Sequence, residues 1–354
     1  MRGRVRWTRP LFIGRAGTAS CTPLVPASPR PPSLRGEKAT LASASPLPYL
    51  SPVTDLPIHP DDLVAAFQLE GQPARGRIVR LGAVVDDILK RHDYPDAVAN
   101  LLGETCALAA LVGASLKFEG RLIVQAQGDG AVRYVVVDYD TSGSLRGYCR
   151  FDADEVAAAS EGLARPGART LLGKGVFIMT IDPVGAKDRY QGVTPIEGET
   201  LALCAEQYFA QSEQVPTRLR LAVGQLHDAS GTHWRAGGMM IQNIAEDDAR
   251  GSTREGWERA EMLFATLGED ELVDPQIPPE TLLYRLFHEE GVRLFTPRPL
   301  KAFCRCTQEG VVGMLRSFPS EERAEMVEPD GSIKVTCEYC SRVYDVAPGA
   351  VDQP

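Results

Sequence analysis

Four cysteines near the C-terminus have the types and spacing to do chemistry: Cys304-Arg305-Cys306 and, about thirty residues on, Cys337-Glu338-Tyr339-Cys340. A C-x-C couple and a C-x-x-C couple can each supply two corners of a tetrahedral Zn2+ site, and four thiolates close such a site to substrate. The same spacing lets the thiols within a couple form a short-range disulfide if the metal leaves, so the pattern points to a redox switch. Zinc keeps its sulfurs deprotonated and can supply on the order of 10–16 kcal/mol to a small domain. Residues 303–354 offer little core of their own, chiefly Phe318, Met326, Val335 and Val343, so their folding is expected to depend on zinc.

A thiol-disulfide oxidoreductase would place its C-x-x-C at a helix N-terminus after a strand. Here Ile333-Lys334-Val335 is strand-like before the motif, but Ser341-Arg342-Val343-Tyr344 after it reads as another strand, which favours a metal knuckle. Cys21, Cys106, Cys149 and Cys204 are scattered singly and are expected to be small buried apolar residues. One cluster among isolated thiols fits a reducing compartment better than a secreted disulfide scaffold.

Other candidate chemistry is weak. Gly173-Lys174-Gly175 lacks the spacing of a phosphate loop and reads as a tight turn, as does Gln127-Gly128-Asp129-Gly130. The paired acids Asp86-Asp87, Asp247-Asp248 and Glu289-Glu290 read as solvated surface rather than acid/base dyads. His59, His92, His227, His233 and His288 show no metal-ligand spacing; His288, beside the linker helix, is a fifth zinc candidate but is taken as structural because four thiolates already complete a tetrahedron. No G-x-S-x-G elbow supports a hydrolase.

The elements that must position the cysteines follow from composition and periodicity. The 354 residues are 44% hydrophobic and 24% charged with a net charge of −9, enough for two or three domains. The acidic balance argues against a nucleic-acid partner, and no uninterrupted apolar run is long enough for a bilayer, so no membrane role is expected. Residues 1–50 carry eight Lys or Arg against the single acid Glu37, with eight prolines. Such a stretch is expected not to fold. It resembles an organelle transit peptide, although an over-extended start, with the folded part beginning near Val53, is the preferred reading.

Asp61-Asp62 is expected to cap an apolar stretch through Phe67, and Arg75–Leu81 alternates as a strand. A helix is predicted over Ala83–Arg91, and a long buried one from Pro95 through Leu116. Strands follow at Leu122–Ala126, Val132–Val137, Gly147–Phe151, Gly175–Ile181 and Gln191–Ile196. A helix at Gly198–Glu213 precedes strands Leu219–Val223 and Arg235–Gln242. The G-D and D-G turns favour antiparallel hairpins, hence an α+β domain rather than a doubly wound sheet. Trp257, Ala260, Phe264 and Leu267 share one helix face. Leu282, Leu283, Leu286 and Phe287 share another, after Pro278-Pro279 and before Gly291. These short, charged helices need a packing partner to stay folded, which makes them a candidate metastable element.

In order along the chain, these features resemble the Hsp33 family of redox-regulated chaperones, over residues 61–346. The resemblance is carried by His92-Asp93-Tyr94-Pro95, Leu116-Lys117-Phe118, Gln125 to Gly130, Arg189-Tyr190-Gln191-Gly192 and Tyr208-Phe209 with Ser212 to Thr217. Gly237-Gly238-Met239, Leu286-Phe287-His288-Glu289-Glu290 and the cysteine quartet complete it. The resemblance implies a non-enzymatic, ATP-independent holdase that binds unfolding proteins under oxidative stress. Reduced and inactive, it would hold one Zn2+ per chain on Cys304, Cys306, Cys337 and Cys340. Oxidation would form Cys304–Cys306 and Cys337–Cys340, release zinc, unfold the linker and promote a homodimer. The implied architecture is a disordered extension at 1–57, an α+β core with an antiparallel-rich sheet at 58–250, a helical metastable linker at 251–302 and a zinc redox-switch domain at 303–354. The cytoplasm is the expected location, or an organelle stroma or matrix if residues 1–50 are a transit segment. The competing readings are a constitutive zinc-ribbon adaptor for a specific partner and the oxidoreductase weighed above.

Overall fold

A computed structural model of the chain describes residues 5–7, 61–186, 188–244 and 253–352. The expectations for residues 1–57 and for Asp247-Asp248 and Cys21 therefore lie outside the described residues, except that Val5–Trp7 forms a short strand, β1. By its contacts the chain divides into a larger unit, Pro46–Thr307 with Cys337–Val343, and a smaller one, Met1–Ser45, Gln308–Thr336 and Tyr344–Pro354.

The larger unit runs β2 (Leu63–Leu69), β3 (Ala74–Leu81), α1 (Ala83–Lys90), α2 (Asp96–Gly113), β4 (Gly120–Gly128), β5 (Val132–Asp140) and β6 (Ser144–Phe151). It continues with α3 (Ala153–Ala159), α4 (Ala168–Leu172), β7 (Gly175–Pro183), β8 (Tyr190–Pro195), α5 (Leu201–Tyr208), β9 (Thr217–Asp228) and β10 (Gly231–Asn243). Then come α6 (Arg254–Ala265), α7 (Glu269–Val273), α8 (Pro279–Phe287), β11 (Val292–Leu294), β12 (Arg298–Pro299) and β13 (Lys301–Ala302). The smaller unit holds α9 (Gln308–Leu315), α10 (Ser320–Glu325) and α11 (Pro348–Asp352). Two further strands, β14 (Ile333–Cys337) and β15 (Val343–Val346), cross the boundary between the units.

The fold is α+β with antiparallel pairing nearly throughout, as expected, but the strands of the larger unit sort into two six-stranded sheets rather than one, while β1, β14 and β15 form a separate three-stranded sheet. The first six-stranded sheet has the order β11-β2-β3-β10-β9, with β12 also on β2; the second is β13-β6-β5-β4-β7-β8. A pairing map cannot be read from alternation alone, which fixes a strand's faces but not its neighbours. The central helix α2 lies between the sheets and is buried along almost its whole length. Its length and composition would suffice to cross a bilayer, yet its apolar surface is taken up by protein on all sides.

The first sheet is buried on both faces. Val64, Val79, Leu81, Leu221, Val223 and Met240 turn toward α2. Their neighbours Leu63, Ala65, Phe67, Leu69, Ile78, Met239 and Ile241 turn the other way. There they meet Trp257, Ala260, Phe264, Leu267, Leu272, Leu282, Leu283, Leu286 and Phe287, the apolar stripes anticipated for α6 and α8 plus the unforeseen Leu272 of α7. The short helices thus fold because a hydrophobic sheet face supplies the packing that propensity cannot.

Two buried arginines fix the connection after α7. Arg80 donates to the carbonyl of Ile277 at 2.7 Å and to that of Asp274. Arg235 donates to the Val273 carbonyl at 2.8 Å and forms a double bond pair with Asp61 at 2.6 and 2.8 Å.

Several local expectations change. Asp61-Asp62 caps no helix of its own, because Leu63–Leu69 is a strand whose alternate residues serve two cores. Asp62 instead accepts from the Gly82 and Val84 backbone N–H groups at 2.9 and 3.0 Å, supplying a cap to α1 that Gly82 lacks. Glu290 is not solvated surface: it is buried between Gln72 and Arg259. Asp86 binds Lys90 and the Trp234 N–H. The two expected turns pack on each other, Asp129 accepting from the Lys174 N–H at 2.7 Å beside Gly173, whose φ is +68°.

The linker is not wholly helical. After Gly291, where φ is +70°, the chain becomes an extended strap. Val292–Leu294 and Arg298–Pro299 pair with β2 of the first sheet, then Lys301-Ala302 pairs in parallel with Ser144-Leu145 of the second.

Within the smaller unit, Val311, Leu315, Ile333, Val335, Val346 and Val351 are buried, so its core is small and built of aliphatics; Val343, expected in it, falls in the larger unit and is 53% exposed.

Candidate metal centre

The strap delivers the first couple. The Phe303 N–H donates to the Leu145 carbonyl at 2.9 Å, continuing the β13–β6 pairing to within one residue of Cys304. The second couple sits on the tight turn after β14. The Cys340 and Ser341 N–H groups both reach the Cys337 carbonyl, at 3.3 and 2.8 Å, and the Cys337 N–H donates to the Arg342 carbonyl. Ser341 takes the left-handed conformation that this turn requires, and its hydroxyl donates to the Arg91 carbonyl at 2.8 Å. The C-x-x-C therefore lies between two strands, not at a helix N-terminus, and the oxidoreductase geometry is absent.

The four Sγ atoms lie within 4.8 Å of one another, the only such ligand group among the described residues. Cys304 is 3.5 Å from Cys306 and 3.7 Å from Cys337, and Cys306 is 3.4 Å from Cys340. A tetrahedral site with metal–sulfur bonds of about 2.3 Å sets its sulfurs about 3.8 Å apart. A disulfide bond would be about 2.05 Å; all seven described cysteines are free thiols. Contacts within and between couples are similar in length, so distance alone singles out no disulfide pairing.

Electrostatics point the same way. Hydrogen bonds from Cys337 and then Cys340 hold the Cys304 thiol far below the ordinary thiol range. The same contacts push Cys337 up, and Cys340 up to about 11. Without a cation the cluster thus favours one thiolate and resists further ones, because like charges so close cannot all ionise. Cys306 and Cys337 are buried while Cys304 and Cys340 are partly open. Four converging sulfurs that need a positive charge fit a divalent thiophilic metal, and these four residues could hold it.

Both couples rest on the second sheet through residues that sequence reasoning missed. Asp138 of β5 stands opposite Arg146 of β6 in register. Arg146 Nε and Nη2 donate to Asp138 Oδ2 at 2.9 and 2.6 Å. The same oxygen accepts from Arg305, between Cys304 and Cys306, at 2.7 Å. Asp138 Oδ1 accepts from the Tyr339 hydroxyl, between Cys337 and Cys340, at 3.5 Å. Arg146 also stacks over the Tyr339 ring, 3.9 Å from its centroid, and its Nη1 approaches Cys304 Sγ at 3.9 Å. The signal available was a charged residue inside each of two strand-like runs, Val135-Val136-Val137-Asp138 and Leu145-Arg146-Gly147.

Of the remaining candidates, His92 touches the turn, its Nδ1 lying 3.3 Å from the Ser341 hydroxyl, but belongs to no ligand group, and His59 lies outside the described residues. Cys106, Cys149 and Cys204 are buried singly as expected, and burial pushes the Cys106 thiol up to about 12. His288 bonds to the Tyr284 carbonyl at 3.1 Å and is no part of the cluster.

A family model described as Hsp33 protein matches residues 62–347. A 33 kDa chaperonin of Caulobacter vibrioides is 69% identical over 288 residues, 81% of this chain and 95% of the relative. Another 33 kDa chaperonin, from Cronobacter sakazakii, is 36% identical over 283 residues, 80% of this chain and 91% of the relative. The crystal structure of a 33 kDa chaperonin (heat shock protein 33 homolog) from Thermotoga maritima superposes with a TM-score of 0.67 at 24% identity, covering 82% of this chain and 97% of that one.

Proposed function

The chain belongs to the Hsp33 family of chaperonins, and on that premise we propose that it is a redox-gated holdase that captures unfolding proteins without ATP. The observation that carries the reading is the strap: one extended segment joins the linker helices, which cover an apolar sheet face, to Cys304 of the four-thiol cluster. In this reading Cys304, Cys306, Cys337 and Cys340 hold one Zn2+ in the reduced state. When bound, the metal neutralises the thiolates and supplies folding free energy to the residues around them.

Peroxide removes the ligands by pairing them. In each couple, Cys304–Cys306 and Cys337–Cys340, two thiolate sulfurs give up two electrons. One S–S bond forms, and one peroxide O–O bond breaks to give two waters, with two protons taken from the solvent. The strap then loses its anchor beyond Ala302, and its short pairings to β6 and β2 are all that still tie α6 to α8 from that side. Domains are stable by only about 5–15 kcal/mol, so loss of a few can release the helices. Undocking uncovers Leu63, Phe67, Leu69, Ile78, Met239 and Ile241, a contiguous apolar face suited to exposed hydrophobic segments of clients. A second copy of the chain can cover part of the same face, giving a homodimer in the oxidised state. The thiol usage suits a reducing compartment, the cytoplasm, or an organelle stroma or matrix should residues 1–50 act as a transit segment.

The test compares reduced and peroxide-treated protein, with mild heat and no nucleotide. Release of one Zn2+ per chain together with suppressed client aggregation is the expected result. Zinc loss without protection, or protection that is equal when reduced, contradicts the gating and favours a constitutive adaptor.

A further inference from the structure

One carboxylate reaches the middle residue of both cysteine couples. Asp138 Oδ2 binds Arg305 and Oδ1 binds Tyr339, while Arg146 braces Asp138 from the neighbouring strand and lies across Tyr339. We infer that Asp138 and Arg146 form a positioning latch that holds both couples on the core sheet and sets how readily their thiols are oxidised. The inference rests on the redox-gated reading above and adds to it the residues that set the threshold.

Both residues are nearly buried, 6% and 7% exposed, on adjacent strands in register. A pair serving only the sheet would have no use for a different couple on each carboxylate oxygen. Because the two residues belong to the second sheet, the pair stays in place when the couples leave, and its outward bonds are the ones that change.

Disulfide formation requires that change. Cys304 and Cys306 must close from 3.5 Å to about 2.05 Å, which turns the backbone on either side of Arg305. Arg305 cannot follow while Asp138 holds it, nor can Tyr339 shift freely beneath the Arg146 guanidinium. The latch therefore opposes the geometry of the oxidised product. Oxidation also replaces anionic sulfur beside Arg146 by neutral disulfide, removing a partner 3.9 Å from Nη1. For each couple one hydrogen peroxide is consumed: the two thiolate sulfurs lose two electrons, the S–S bond forms, and the O–O bond breaks to two waters with two protons from the solvent.

The experiment uses the full-length, reduced, zinc-loaded chain. Wild type, Asp138→Asn, Asp138→Glu and Arg305→Gln are treated with hydrogen peroxide at ambient temperature. Zinc release is followed with a chromogenic chelator and client protection by light scattering. Charge-assisted hydrogen bonds are about twice as strong as neutral ones, so Asp138→Asn is expected to release zinc about tenfold faster. It is also expected to protect clients without heat, with Asp138→Glu returning toward wild type. Arg305→Gln keeps the buried pair intact and is expected to accelerate release at least threefold.

A merely structural role would lower the melting temperature of Asp138→Asn and leave the peroxide rate unmoved. Rates within threefold of wild type for both Asp138→Asn and Arg305→Gln overturn the inference; if Asp138→Asn does not fold, Arg305→Gln decides by the same limit. An unresponsive wild type overturns the redox reading and the latch together, whereas a responsive wild type with unresponsive variants overturns the latch alone.

Discussion

The carbonyl oxygen of Leu272 lies 2.2 Å from the point where a β-carbon on Gly237 would stand. Helix α7 can therefore seat on β10 only because that position carries no side chain, and Leu272 reaches the core beneath it with no exposed surface. Linker docking depends on backbone-to-backbone approach as much as on apolar contact.

Gly237→Ala is accordingly expected to lift α7 from the sheet at a cost of about 1–3 kcal/mol, the usual range for overpacking. Hydrogen exchange should rise across residues 254–290, and the reduced protein should gain part of the client protection that the proposed gating reserves for the oxidised state. Unchanged exchange in that segment would show that α7 tolerates the methyl group.

Cys337 has no exposed surface and lies 3.7 Å from Cys304, so Cys337→Ser removes one of the four proposed zinc ligands. Zinc content should fall from one per chain to below a tenth, measured by atomic absorption after gel filtration. Structural zinc contributes on the order of 10 kcal/mol, so circular dichroism should also report lost structure in residues 308–352. Wild type treated with a strong chelator should show the same loss.

Thiol reactivity should fall into two groups. Burial pushes Cys106 up to about 12 and raises Cys149 and Cys204 above the ordinary thiol range. A small alkylating reagent is expected to label the four clustered cysteines after chelation under native conditions, and the three isolated ones only in denaturant. Mass spectrometry of the digest reads the order directly.

Glu104 of α2 gives a pH signature. Burial raises its carboxyl from 4.5 to about 7, with Arg165 opposing and Glu269 assisting the shift. The folded state thus keeps a proton that the unfolded chain releases. The stabilisation is complete below about pH 4.5 and is lost as pH rises through about 7. Glu104→Gln should leave stability unchanged near pH 4 and raise it by about 3 kcal/mol at about pH 8, because one unit is worth about 1.4 kcal/mol and the stabilisation from the shift of 4.5 to about 7 is fully lost there. Denaturant titration at both pH values checks it; parallel pH profiles for the two proteins would contradict the assignment.

Much of this was legible in the sequence where local pattern decides the outcome. Trp257, Ala260 and Phe264 announce a helix face, and Pro278-Pro279 and Gly291 mark the limits of its partner, because periodicity and backbone restriction act over a few residues. The cysteine quartet was equally plain. What escaped depends on chain segments meeting across long distances. Asp62 caps a helix twenty residues downstream, Arg80 and Arg235 bind carbonyls near 275, and Asp138 bonds to Arg305 and Tyr339, which lie far from it in sequence. A lone charge in a strand states that it must be paired but not with what. The five-residue α7 carries too little periodicity to be seen at all, and only its seat on Gly237 gives it a reason to form.

The strap after Gly291 has a direction. Its two-residue pairing on β6 lies next to the sulfurs, and its longest, three residues on β2, lies next to the helices, with a second two-residue fastening on β2 between them. Fraying that starts at the cysteine end must pass each fastening in turn, so a brief exposure loosens the near lacing while the far one still returns the chain to its groove. Under the proposed gating, only sustained exposure would carry the loss through to α8, which would make the response a measure of dose and duration rather than of mere contact with oxidant.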